Sequence, residues 1–244
     1  MSNDVPYSHL PLVFLHGLMG NVSNWDRSFA YYEGTCRFLP IEFKVYGKGA
    51  RYHTIDTLTE HVLAEMDNAK IDQAVVFGNS MGGQVALNVA LTRPERVSAL
   101  VLTGSAGLME RSYTNGTPLN PSREYIREKC EEIFYDPRHV TDELIDQLYD
   151  VFHDTKNKLR IVKLARSLRK CNMHADLPSI RCPTLLIWGR EDIVTPLNVA
   201  EMFAERLPNA QIKIIDHCGH APNIECPDDF NRLAEEFLCQ VAAG

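Results

Sequence analysis

No apolar run in this sequence approaches the roughly 20 residues that a membrane span requires. Met1 to Leu10 also lack the charged start and long apolar stretch of a secretory signal. Basic charge is short as well: 25 Lys and Arg stand against 32 Asp and Glu, a formal net charge of −7. Nucleic-acid binders draw most of their affinity from neutralising phosphates, so this balance argues against a polyanion as partner. A disulfide framework is missing too. Seven cysteines, an odd number, spread from Cys36 to Cys239 without regular spacing, and they read as reduced thiols in a cytoplasm. There is no internal repeat and no low-complexity stretch. What remains is ordinary globular composition, 45% hydrophobic and 23% charged. Its 244 residues make one large domain or one domain with an insertion.

Six short apolar runs punctuate the chain: Pro11–Leu15, Arg37–Glu42, Gln73–Phe77, Val97–Thr103, Pro183–Trp188 and Gln211–Asp216. Continuous runs, rather than period-two alternation, fit parallel strands buried on both faces. Helical patterns lie between them at Thr57–Asn68, Gly82–Leu91, Pro196–Arg206 and Asp228–Val241. Strand–helix alternation predicts an α/β fold with a mostly parallel sheet and helices on both sides. The rhythm breaks once, from Gly107 to Ala175, where three apolar stripes at helical spacing appear. They are Tyr125, Cys130, Ile133 and Phe134; then Leu144, Ile145, Leu148, Val151 and Phe152; then Ile161, Leu164, Ala165 and Leu168. We therefore expect a core of residues 1–106 and 176–244, with 107–175 as a helical cap over the ligand-binding edge of the sheet.

Gly78-Asn79-Ser80-Met81-Gly82 directly follows a strand-like run and opens a helical pattern. This G-x-S-x-G spacing at a strand-to-helix turn suits a nucleophile, because small flanking residues let neighbouring backbones approach while the hydroxyl projects over the sheet edge. A serine hydroxyl is a weak nucleophile at neutral pH and needs a base, which in turn needs an orienting acid. Asp192 and His220 each follow a later strand run, on the side where Ser80 projects; Glu191 and His217 are their competitors. The oxyanion donors are expected at the Met81 amide and, in His16-Gly17-Leu18-Met19-Gly20, at the Leu18 amide. His16 is read as holding that loop.

In this order, with a helical insert before the acid, these motifs resemble the α/β-hydrolase family across nearly the whole chain. The resemblance implies a serine nucleophile; the family carries two antiparallel strands before the first run where only Met1–Leu10 stand here, so a truncated sheet of about six strands is expected. Gly78 to Leu108, the run Phe134 to Leu144 and Cys218-Gly219-His220 look like the meta-cleavage-product hydrolases, which cut carbon–carbon bonds. That likeness implies substrate-binding roles for Asn24 and Arg166, besides His16, Gly17, Asn79 and Ala221. The loop His16 to Gly20 with Asn24-Trp25 is instead similar to small carboxylesterases, and Ala221 stands where the other group has tryptophan.

Three other features bear on function. Lys156, Lys158, Arg160, Lys163, Arg166, Arg169 and Lys170 form a basic amphipathic stretch, read mainly as a solvated helix face. His217, Cys218, His220 and Cys226 match no zinc spacing, so no metal or cofactor is expected. Met19, Met81 and Met109 are candidate pocket residues. The reading is a serine hydrolase with Ser80, His220 and Asp192 as its triad, cleaving a small acyl ester. Carbon–carbon bond hydrolysis and a non-catalytic small-molecule receptor are the alternatives, and oligomeric state is left open.

Overall fold

Each of the six apolar runs forms a strand in the computed structural model, which describes residues 5–108, 118 and 120–243. The strands are β1 (Leu12–Leu15), β2 (Phe38–Ile41), β3 (Ala74–Asn79), β4 (Val97–Thr103), β5 (Thr184–Gly189) and β6 (Ala210–Ile215). They make one sheet in the order β2-β1-β3-β4-β5-β6, and every pairing is parallel. Six is therefore the strand count among the described residues. β3 runs two residues beyond the expected Phe77, because Gly78 and Asn79 still pair with Leu102 and Thr103.

The pleat explains why the runs are apolar throughout. Val13 and Leu15 face one core layer, with Val76 and Leu100; Leu12 and Phe14 face the other, with Phe77 and Val101. Helices α2 (Ile55–Asn68), α3 (Met81–Thr92) and α7 (Leu197–Arg206) cover the first layer, and α1 (Asp26–Tyr32) and α9 (Pro227–Ala243) the second. α1 has no counterpart among the expected helices. Its seven residues are too few to print a helical period, and it is held by Phe29 and Tyr32 against Phe14.

Between β4 and β5 lie α4 (Arg123–Glu131), α5 (Asp142–His153) and α6 (Thr155–Lys170). Each starts on a side chain that takes up an orphan amide. Ser122 Oγ accepts from Tyr125 N, Thr141 Oγ1 from Leu144 N, and Asp154 Oδ1 from Asn157 N; each such cap is worth about 1 kcal/mol. Ile126, Cys130, Ile145 and Leu148 pack into a small core of their own, whereas Leu164 and Leu168 join the main one. At the other end of α6, buried Gln84 of α3 donates its amide to the Leu168 and Cys171 carbonyls, both at 2.9 Å. The insert is thereby fixed to the helix that follows Ser80. α8 (Pro222–Glu225) is a single turn just before α9.

Phe14 sits at the centre of the second layer, fully buried, with ring centroids of Phe77 at 4.7 Å and Trp25 and Phe29 at 5.3 Å. Phe14→Ala is expected to cost about 3–5 kcal/mol in urea unfolding. A loss below about 1 kcal/mol would mean that the layer repacks around the void.

Candidate active site

Ser80 lies between β3 and α3 at φ 54°, ψ −118°, a backbone conformation that side-chain-bearing residues rarely adopt. Such strain costs about 1–3 kcal/mol and persists only where the surroundings over-determine it. Here they do. Ser80 N donates to the Thr103 carbonyl at 3.1 Å, and its own carbonyl accepts from Gly83 N at 3.0 Å and Ala106 N at 3.1 Å. The turn is as sharp as it is because α3 passes directly over β1: a Cβ on Gly82 would run into the Leu15 carbonyl.

The loops after β5 and β6 meet beside it. His220 Nδ1 and Asp192 Oδ2 are 2.9 Å apart, both residues more than nine-tenths buried. The other Asp192 oxygen, Oδ1, accepts from Val194 N at 2.8 Å and Thr195 N at 2.9 Å, and Thr195 Oγ1 donates to Oδ2 at 2.8 Å. Four donors thus converge on one carboxylate, which fixes its plane, and among the described residues Nε2 is the unengaged ring nitrogen of His220. Glu191 points elsewhere and accepts from Cys218 N at 2.9 Å. His217 is exposed, 3.2 Å from the Tyr135 hydroxyl. Sequence reasoning missed Thr195. Its signal was an aspartate followed three residues later by threonine, the spacing at which a carboxylate caps a turn.

Ser80 and His220 line the same pocket, but among the described residues the Ser80 hydroxyl makes no hydrogen bond. Nucleophile–base bonds are commonly long in the absence of substrate and tighten in the reacting complex. Leu18 and Met81 line the pocket next to Ser80, and neither backbone amide has an intramolecular acceptor among the described residues. Met81 opens α3, so its amide is one of the helix's orphan donors and carries the positive end of the dipole. Gly17 brings the first loop to the nucleophile, since a Cβ there would sit 3.4 Å from Ser80 Cβ.

The pocket has a volume of about 320 Å³ and a mostly apolar wall that includes Met19, Ile133, Phe134, Leu144, Leu148 and Val194. Gly17, Asn24, Asn79 and Ala221 also line it, but two expected substrate contacts, His16 and Arg166, need correction. His16 lies outside the wall. It is buried, with Nδ1 2.7 Å from the Gly17 carbonyl and Nε2 accepting from Phe43 N at 2.9 Å, so its ring ties the loop to the segment after β2. Asn79 spends its amide nitrogen on the Thr103 and His220 carbonyls, leaving only Oδ1 for a ligand. Arg166 is exposed and outside the pocket, because the inward face of α6 carries Ala165, Leu168 and Arg169. Among the described residues, Arg169 and Lys129 are the Lys and Arg side chains that line the wall. Met109 lies outside the described residues. Among the described residues there is no cluster of His, Cys, Asp or Glu that could hold a metal ion, and no helix long and apolar enough to cross a membrane.

Comparison with known proteins bears on the fold. A model described as "Alpha/beta hydrolase family" matches residues 12–233. The dihydrolipoyllysine-residue acetyltransferase component of the acetoin cleaving system of Pseudomonas putida is 30% identical over 93% of this chain, which spans only 63% of that protein. A 2-hydroxy-6-oxononadienedioate/2-hydroxy-6-oxononatrienedioate hydrolase of a Pseudomonas species is 28% identical, over 98% of this chain and 91% of its own. Among solved structures, a meta-cleavage product hydrolase from Pseudomonas fluorescens superposes with a TM-score of 0.80 at 28% identity, covering 96% of this chain and 92% of that one.

Gly104 packs against the imidazole. Its φ is +52°, and a Cβ there would sit 2.7 Å from His220 Nδ1. Gly104→Ala should therefore destabilise the protein by about 1–3 kcal/mol in equilibrium unfolding, while an unchanged midpoint would show that the turn and the ring relax freely.

Proposed function

The chain belongs to the alpha/beta hydrolase family, and we propose that it is a serine hydrolase cleaving a small carboxylic ester through an acyl-enzyme on Ser80. The observation that carries the reading is the convergence of an Asp192–His220 pair, a strained serine turn and two unengaged amides on one pocket. His220 Nε2 takes the Ser80 proton as Oγ attacks the carbonyl carbon. The oxyanion of the tetrahedral adduct lies against the Leu18 and Met81 amides, where fixed donors in a dry site act without reorganising. Collapse breaks the bond to the alcohol, which leaves with the proton from His220. Water, deprotonated by the same imidazole, then adds to the acyl carbon and releases the acid and Ser80. Asp192 keeps the proton on Nδ1 and stabilises the imidazolium.

In this reading residues 107–175 act as a cap that shapes the acyl pocket over the core of 1–106 and 176–244. The seven unpaired cysteines support a reducing compartment such as the cytoplasm.

A second reading is hydrolysis of a carbon–carbon bond beside a ketone, using the same residues. Lys129 and Arg169 favour it, because both bring a basic side chain, Lys129 paired with Glu132, to a mostly apolar wall. So do the relatives named for dienedioate substrates. Steady-state assays with a p-nitrophenyl ester series beside one ring-fission diketone carboxylate separate the two. Ester turnover that dominates, and falls at least roughly 10⁴-fold in Ser80→Ala, is the expected result. Dominant diketone turnover would favour the second reading, and a Ser80→Ala variant with wild-type kcat would overturn both.

A further inference from the structure

Glu225 ends α8, five residues past His220, and its side chain turns back toward the site. Oε1 accepts from Gly219 N at 2.8 Å. Oε2 accepts from Tyr135 N at 2.7 Å and Asp136 N at 3.3 Å. A parallel link runs beside these bonds, with His220 N donating to the Ile133 carbonyl at 2.8 Å. The two segments so joined do different things. Ile133 and Phe134, from the helical insert, form pocket wall, while Gly219 leads directly into the imidazole-bearing residue. Their fit is close: a Cβ on Gly219 would meet the Ile133 carbonyl at 2.5 Å and Tyr135 N at 2.9 Å.

Three converging amides call for two acceptor oxygens and no donor, which a carboxylate supplies and an amide does not. In a glutamine at this place one oxygen would be replaced by NH₂, and either the Gly219 arm or the Tyr135–Asp136 arm would face donor to donor. Burial pushes the Glu225 carboxyl above its ordinary value, and the three amides pull it back toward the ionised form that accepts from all of them.

We propose that Glu225 is a positioning residue, a clasp that ties the 133–136 wall of the pocket to the histidine segment so that the acyl-binding wall and the imidazole are placed together. The kinetic half of this proposal rests on the serine-hydrolase reading; the structural half rests on the hydrogen bonds alone. The test compares full-length wild type with Glu225→Gln, and with Gly219→Ala, which forces the same two segments apart from the other side and covers the case in which the first variant does not fold.

Two readouts are taken. Amide hydrogen exchange at Tyr135, Asp136 and Gly219 should speed up by at least about tenfold relative to the rest of the chain. With p-nitrophenyl esters, kcat should fall about tenfold on every chain length as the imidazole loses its place. KM should rise severalfold only for acyl chains long enough to reach Ile133 and Phe134. Exchange confined to its wild-type rates at the three amides, or a uniform loss of protection across the chain with kcat per folded molecule unchanged, would overturn the clasp. If wild type turns over no ester at all, the serine-hydrolase reading fails by itself, and the exchange data still decide whether the clasp exists.

Discussion

A parallel sheet delivers the C-terminal ends of all its strands to one edge, and everything proposed for this chain depends on that constraint. The loops after β1, β3, β5 and β6 carry Leu18, Ser80, Asp192 and His220 respectively, residues spread over 202 positions of sequence yet gathered at one pocket or in contact with its wall. The sheet can do this because both of its faces are buried, which holds the strands in register and leaves only their ends free to vary. Strain at Ser80 is tolerated for the same reason. Thr103 of β4, Gly83 of α3 and Ala106 in the loop after β4 hold the turn through backbone hydrogen bonds alone.

Around that edge the polar groups are arranged so that few degrees of freedom remain. Asp192 is saturated by two amides, a hydroxyl and an imidazole, and His220 is hemmed by Gly104 on one side and tethered through its own backbone to Asn79 and Ile133. A buried carboxylate without such partners would be costly; with them it becomes a rigid negative charge at the back of the imidazole. The mostly apolar pocket wall lowers the polarity beside these groups, which strengthens their interactions. Lys129, beside Glu132, and Arg169 bring positive charge to an otherwise greasy surface at the insert.

Much of this is legible in the residues themselves, for stated reasons. Strands buried on both faces write continuous apolar runs, and β4 was read to its ends because Val97–Thr103 is bounded by a proline turn and Gly104. Asp192 and His220 were legible because each follows a strand at the edge where the serine turn points. Arg166 was misread because neighbouring residues on a helix are turned by about 100°, and a basic, amphipathic α6 does not say which cation faces inward. Thr195 hides within a turn whose meaning depends on the carboxylate it faces. Glu225 hides more completely, since its partners at Tyr135 and Asp136 are 90 and 89 residues away and are backbone amides, which leave no trace in residue identity.

The central claim is that the imidazole of His220 makes the Ser80 hydroxyl reactive, and covalent labelling reads it most directly. Wild-type protein incubated with a fluorophosphonate, followed by intact mass and peptide mapping, should gain one adduct per chain, located on Ser80. The rate of labelling should drop by at least about a hundredfold in His220→Ala. Absence of an adduct in wild type, or equal rates in the two proteins, would contradict the account.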